Sequence, residues 1–429
     1  MITLKEILKK IFPDIILREA GIYTIINGIA SLFPFLLIPL ITRYIEPSDY
    51  GIYAIFLVGI NLLMPLIGIG SETAAGRKYV DKEKINYPSY ISTAITLTIV
   101  LSIIVLLTLN FLAPTLNTLL PIPKEWYPKW IAVAWAQTII GLILVINQMN
   151  HKPFHFGIWR IGRALILNLL FLLLIILNLT NWENLLNIVV VTHLSLAFFG
   201  IVWLFKIKLI NLSFSKIHLV HIIQYGLPLV PHMLAAAIIT ATDRIILNSF
   251  LNERAVGIYT IGYQAGLIMF IVSQSINRAW TPWFYEKLKN NSHIDNINSI
   301  KTLYKLILLF IIISFLLCLA GWIFLPFLFG SMYLKSVNVF YWIVIAFLTQ
   351  GLWSLFSSYL YYTGETIWIS LSSMTAAIMN IGISIILVIN FGLIGAALGT
   401  FIAYLIALII LLIITIKKAP LPWLLNKTR

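Results

Sequence analysis

Apolar residues run through this chain in twelve blocks of about 20 positions or a little more, and polar residues are confined to the intervals between them. The blocks lie near 20–42, 52–72, 91–112, 130–148, 158–178 and 186–205, then 225–247, 257–277, 304–328, 338–361, 367–389 and 393–415. In an α-helix, about 20 apolar residues cover a hydrocarbon core of roughly 30 Å. Inside lipid every backbone N–H and C=O must find its partner within the protein, which leaves helices or a closed barrel. None of the blocks alternates with the period of a strand. The pattern therefore predicts an all-α integral membrane protein of about twelve transmembrane helices.

The blocks fall into two sets of six that resemble each other. Gly51-Ile52-Tyr53 opens the second block, and Gly257-Ile258-Tyr259 opens the eighth. Each follows a block ending in an arginine, Arg43 or Arg244, and a short acidic loop. Asn168 and Asn178 bracket an apolar run in the fifth block, and Asn380 and Asn390 bracket an equal run in the eleventh. Six crossings per repeat send both halves into the membrane the same way round, so an axis along the membrane normal should relate them. The expected organisation is an N-terminal segment (1–19), a lobe of helices 1–6 (20–205), a linker (206–224), a lobe of helices 7–12 (225–415) and a tail (416–429).

Composition agrees with lipid as the solvent. Hydrophobic residues make up 60% of the chain and charged ones 10%, against about a quarter charged in an ordinary soluble domain. The net charge of +14 would fit a nucleic-acid partner, but its placement argues otherwise. Of the 29 Lys and Arg, 23 lie on the side shared with the N-terminus and 6 on the other. That is the positive-inside asymmetry, with both termini cytoplasmic and no nucleic acid involved. Residues 1–19 show no removable signal peptide. Ile2, Leu4, Ile7, Leu8 and Ile11 are spaced for a short amphipathic helix on the membrane face, with an ordinary tail as the alternative. The single cysteine, Cys318, rules out an intramolecular disulfide.

Ionisable groups near the bilayer centre cost about 2.5–3.5 kcal/mol on insertion scales, so those close to the blocks carry the candidate chemistry. Counting along the helices puts Arg43 and Arg244 near the outer interface, with Asp243 beside Arg244 as an acid–base pair. They form either a cationic rim for an anionic ligand or side chains that snorkel to the headgroups. Glu72 stands 21 residues after Gly51, and Arg278 stands 21 residues after Gly257. The duplication puts them at one depth, as a gating ion pair or as two unrelated interfacial charges. Arg77, Arg160 and Arg163 sit at cytoplasmic helix ends, the last two on one helix face. Guanidinium forks suit phosphate oxygens, although plain anchoring explains these three equally well. His193 and His232 each lie about 10 Å into a block; either is a candidate for a coupling proton or a hydrogen-bonded packing residue. Pro34 and Pro39 in the first block correspond to Pro228 and Pro231 in the seventh, and mark candidate hinges. No phosphate-cradling Gly-x-x-x-x-Gly-Lys-Ser/Thr loop, Cys/His cluster or nucleophile–base pair is present, so no catalytic site, metal or cofactor is expected.

Several segments carry a family resemblance: LLIPLITRYIEPSDYGIYAIF (36–56), IGIGSETAAGRKYV (67–80), YGLPLVPHMLAAAIITATDRIILNSF (225–250), AVGIYTIGYQ (255–264) and FGLIGAALGTFIAYLI (391–406). With them the chain resembles the polysaccharide flippases of the multidrug/oligosaccharidyl-lipid/polysaccharide (MOP) exporter superfamily, particularly translocases of O-antigen and similar repeat units. The resemblance implies two six-helix lobes in a V, around a cationic cavity lined largely by the first, second, seventh and eighth helices. It implies a transporter in the bacterial inner membrane rather than an enzyme. The substrate class would be an undecaprenyl-pyrophosphate-linked oligosaccharide, flipped from the cytoplasmic to the outer leaflet by alternating access for O-antigen, lipopolysaccharide or another surface polysaccharide. By the same resemblance Arg43, Arg77, Asp243 and Arg244 occupy recurring charged positions, and a polysaccharide polymerase and a chain-length regulator would be partners. Coupling to an H+ or Na+ gradient, or to the membrane potential, is left open. A multidrug extrusion antiporter of similar fold is the alternative and would want a buried carboxylate. A membrane polysaccharide polymerase or ligase would want a large outer loop, whereas the longest here, 113–129, is short.

Overall fold

The computed structural model describes residues 14–423 apart from 80, 120, 212, 291, 364 and 420. The expected amphipathic helix at residues 2–11 lies outside the described residues. The chain divides into two compact units, Met1–Ala241 and Thr242–Arg429. The first holds α1 (Asp14–Tyr44), α2 (Pro47–Gly68), α3 (Ser71–Tyr79), α4 (Tyr87–Leu119), α5 (Tyr127–Met149), α6 (Pro153–Ile176), α7 (Trp182–Lys206), α8 (Lys216–Gly226) and the start of α9 (Val230–Phe250). The second holds the rest of α9, then α10 (Glu253–Asn290), α11 (His293–Leu328), α12 (Ser336–Thr363), α13 (Thr366–Phe391) and α14 (Leu393–Lys418). Among the described residues there is no strand, as an all-α membrane fold requires.

Eleven helices among the described residues are long and apolar enough to cross a membrane. They match every expected block except the seventh, 225–247. That block is interrupted: α8 ends at Gly226, a 3-10 turn runs over Leu227–Leu229, and α9 then begins. Pro228 sits in the turn and Pro231 in the first turn of α9, where missing N–H groups cost least. The 21 residues of α9 extend about 31 Å at 1.5 Å each, still enough for a span.

The second block also departs from expectation. It is not one helix over 52–72, because α2 stops at Gly68. Ile69 (φ 43°) and Gly70 (φ 65°) are both left-handed, and α3 starts after them. A β-branched residue at positive φ is costly, so something must hold Ile69 there. Gly226 at the end of α8 does so. A Cβ on Gly70 would lie 3.1 Å from the Gly226 Cα, and a Cβ on Gly226 would overlap the Ile69 carbonyl oxygen. The break in the second span is clasped backbone to backbone.

Residues 206–224, expected as a linker, are built into the first unit. The Asn211 and Ser215 amides donate to Ser92 Oγ (3.0 Å) and Thr93 Oγ1 (3.1 Å) on α4. Ser215 caps α8 by accepting from the His218 amide, and Ile222 of α8 is fully buried. In that unit α5 is the hub, packed by α2, α3, α4, α6 and α7. Lipid removes the hydrophobic drive between helices, so close fit and internal hydrogen bonds must hold them. Gly59 on α2 leaves room for Trp130 of α5. The indole Nε1 then donates to the Phe56 carbonyl at 2.7 Å, and its ring stacks on Phe56 with centroids 5.8 Å apart.

The second unit follows the same logic around α12, which packs on α10, α11 and α14. Gly262 and Gly266 of α10 face Val339 and Ile343 of α12, and Gly351 of α12 faces Ser273 of α10. Gly395 and Gly399 of α14 meet Leu387 and Ser384 of α13.

Candidate functional site

Asp243 and Arg244 lie four turns into α9 and are 2% and 6% exposed. Of the two roles expected for them, snorkelling to the headgroups does not fit: both side chains are turned into the second unit. Burying a charged pair is tolerable only with good geometry and further hydrogen bonds, and the neighbouring helices supply them. Tyr259 of α10 donates to Asp243 Oδ2 at 2.5 Å, and Thr400 of α14 donates to the same oxygen at 2.9 Å. The Asn380 carboxamide of α13 also faces the carboxylate. Arg244 lies over the Tyr263 ring at 4.0 Å from its centroid and over Tyr259 at 5.2 Å. Such stacking suits a planar, weakly hydrated guanidinium.

Oxygens are left over in this cluster. Asp243 Oδ1, Asn380 Oδ1 and Ser384 Oγ are buried without a hydrogen-bond partner among the described residues. Ser384 is one turn along α13 from Asn380, and Gly399, next to Thr400, packs on it. The result is one carboxylate with several neutral oxygens. It is short of the three or more His, Cys, Asp or Glu groups that hold a multivalent metal, and no such group occurs among the described residues.

The first unit carries its polar residues differently. Arg160 and Arg163 sit on α6, half-buried, with Arg160 Nε buried and unpartnered. His193 on α7 is 4% exposed. Its Nδ1 is 2.8 Å from the Val189 carbonyl, and its Nε2 is 3.2 Å from Gln137 Nε2. A carbonyl only accepts, so Nδ1 carries the proton and Nε2 accepts from the Gln137 amide. Both ring nitrogens are thus engaged, and the imidazole is neutral as placed. The side chain of His232 lies outside the described residues.

The remaining candidates are spread out. Arg43 is exposed at the end of α1, beside Thr42, which is fully buried and donates to the Pro39 carbonyl. Glu72 is half-buried on α3 with its carboxylate set into the notch left by Gly141 of α5. Arg77, exposed on α3, reaches Asp81 at 3.9 Å, and Lys78 reaches the same carboxylate at 3.5 Å. Arg278 is exposed on α10 in the second unit. Pro34 is exposed and Pro39 half-buried inside α1, which continues through both. Outside the spans, His218 and His221 of α8 pack on the Tyr90 ring, and the Tyr90 hydroxyl lies 3.0 Å from His221 Nδ1. Burial, and then the nearby Lys78, push both histidines below the ordinary value.

Sequence reasoning missed Tyr259, Tyr263 and Thr400 as site residues. Tyr259 and Asn380 had served only as marks of the duplication. A signal was there: a carboxylate inside an apolar block needs donors, and hydroxyl residues near the starts of neighbouring blocks can supply them.

Comparison with known proteins adds the family. A family model described as "Polysaccharide biosynthesis protein" matches residues 40–338. "Lsg locus putative protein 1" of Haemophilus influenzae is 21% identical over 382 residues, covering 85% of this chain and 90% of that protein. The lipid II flippase MurJ, in an inward closed conformation, superposes with a TM-score of 0.72 at 17% identity, covering 92% of this chain and 87% of its own. An inward-facing MATE family multidrug resistance transporter of the MOP superfamily gives 0.61 at 16% identity, covering 92% and 96%. At these identities the solved structures speak for the fold, while the family match extends over more than half of the sequence. The chain belongs to the polysaccharide biosynthesis protein family, and it has the multi-pass, all-α fold of these membrane transporters.

Proposed function

We propose that the protein flips an undecaprenyl-pyrophosphate-linked oligosaccharide from the cytoplasmic to the outer leaflet of a bacterial inner membrane by alternating access. The family match over residues 40–338 carries this reading. The recurrence of arginine at the ends or inside of the spans supports it, since guanidinium groups suit pyrophosphate oxygens. Arg43, Arg77, Arg160 and Arg163 are the proposed headgroup contacts, with O-antigen or a similar repeat unit as cargo and a polymerase as its downstream consumer. Deleting the gene should strand lipid-linked repeat units on the cytoplasmic leaflet, and re-expression should release them. Unchanged leaflet distribution would overturn the reading.

One observation favours a second reading, multidrug extrusion: Asp243 is a buried carboxylate of the kind an antiporter uses. Arg244 beside it already balances the charge, which speaks against capture of a cationic drug, while the unpartnered Asp243 Oδ1 offers a position to a small ion. We therefore place coupling at Asp243, where a sodium ion or a proton would meet Oδ1 with the Asn380 and Ser384 oxygens. Sodium and proton arms of a transport assay separate the two ions, and drug susceptibility that changes on deletion would instead support extrusion.

A further inference from the structure

At one end of the second unit, α9, α11 and α13 finish and α10, α12 and α14 begin. The opposite end carries Lys287, Lys289, Lys301, Lys305, Lys417 and Lys418, whereas the turns and first helical residues at this end carry only Arg254 and Lys335. By the positive-inside rule it is the outer end, where basic residues are scarce. The two that occur, 81 positions apart in sequence, line the same cavity of about 520 Å³. Asn252 and Asn338 line it as well. Neither Arg254 nor Lys335 is ion-paired among the described residues. Glu253 is the neighbouring acid and is not part of the lining.

The walls have a second character. Leu251, Ile258, Phe391 and Ile394 are among their apolar residues, and Phe391 is 60% exposed. Phosphate-sized polar recognition is thus bordered by surface that acyl chains would cover. Gly392, Leu393 and Ile394 at the start of α14 line the same space. Gly392 has φ 59° and provides no side-chain cap, and a Cβ on it would meet nothing within 4 Å. Uncapped helix starts add a modest positive potential to what the two side chains provide.

We propose that this cavity binds a phosphate-bearing anion at the outer face of the second unit, apart from the Asp243 cluster. Arg254 and Lys335 hold the phosphate, and Asn252 and Asn338 hydrogen-bond its oxygens. The phosphate comes either from an anionic phospholipid of the outer leaflet or from free phosphate in solution.

The test titrates the full chain, purified in detergent, with phosphatidylglycerol, phosphatidylcholine or inorganic phosphate, and counts bound molecules by native mass spectrometry. Each basic residue near an anionic lipid surface contributes roughly fivefold in affinity. Lys335→Gln should therefore weaken phosphatidylglycerol about fivefold, and Arg254→Gln with Lys335→Gln roughly thirtyfold. Arg254→Lys with Lys335→Arg should retain most of the binding, and phosphatidylcholine should respond to none of these changes. The same dependence for inorganic phosphate, with no added preference for the lipid, identifies the free anion as the ligand. Should the double variant fail to fold, Lys335→Gln alone decides. Binding of both anions that is absent, or equal in parent and variants, overturns the proposal.

Discussion

The Tyr259 hydroxyl donates to Asp243 Oδ2 at 2.5 Å, tying α10 to α9 inside the second unit. A hydrogen bond to a charged group contributes about 1.5–3 kcal/mol. Tyr259→Phe should lower the melting temperature in detergent accordingly. Thr400→Val should cost less, because the Thr400 hydroxyl also serves the Ala396 carbonyl at 3.2 Å. The two changes share one acceptor, so their combined effect should depart from additivity. A double variant that is simply additive would mean the donors act separately.

Arg244 rests on the rings of Tyr259 and Tyr263. Lysine keeps the charge but loses the flat face. Arg244→Lys should therefore lose about 1 kcal/mol of stacking, while Arg244→Gln, which leaves Asp243 unbalanced in a buried site, should cost about 3–5 kcal/mol. Equal melting curves for the two variants would remove the ring contacts from the account.

The clasp at the second-span break gives a steric forecast. Gly226→Ala forces a methyl group into the Ile69 carbonyl, and overpacking of this kind costs about 1–3 kcal/mol. Gly70→Ala meets both a tight contact and a positive φ. Thermal melts should show both variants destabilised, whereas Gly162→Ala, with nothing within 4 Å of the new Cβ, should not be.

His193 holds one neutral tautomer between Val189 and Gln137. Packing, not proton relay, is the role this geometry supports. The pH profile of transport should survive His193→Gln even where the overall rate falls. A profile that flattens would restore the proton-carrier reading.

The histidines of α8 make a different forecast. Both are held below the ordinary value of about 6.5 by burial first and Lys78 next, with Arg77 opposing and Asp81 favouring the charge on His221. Between the lowered folded-state value and about 6.5, the undocked helix binds more protons than the docked one. Docking of α8 is therefore strongest above about pH 6.5 and weakens as the pH falls towards the lowered value. Hydrogen exchange of amides 216–226 should accelerate from pH 7.5 to 5.5, after correction for intrinsic rates, and His218→Gln with His221→Gln should abolish that acceleration.

The spans themselves were legible because lipid demands a long apolar run, and a run of that length has no competing explanation in this composition. Their interruptions were less so. Pro228 and Pro231 announced a bend in the seventh block, but nothing local distinguishes Ile69 from any other apolar residue. Its left-handed turn depends on Gly226, 157 positions away. Depth along a helix placed Asp243 near an interface, yet depth says nothing of which way a side chain faces. The duplication misled in the same way. Arg43 follows Thr42 and is exposed, while Arg244 follows Asp243 and is buried, so matching positions in the two halves have diverged in chemistry.

The stretch from Asn211 to Gly226 is fastened at four levels: to Ser92, to Thr93, to Tyr90 and to Ile69. It has no slack to pay out as a tether would. Severing or lengthening the chain within it would unravel a finished surface.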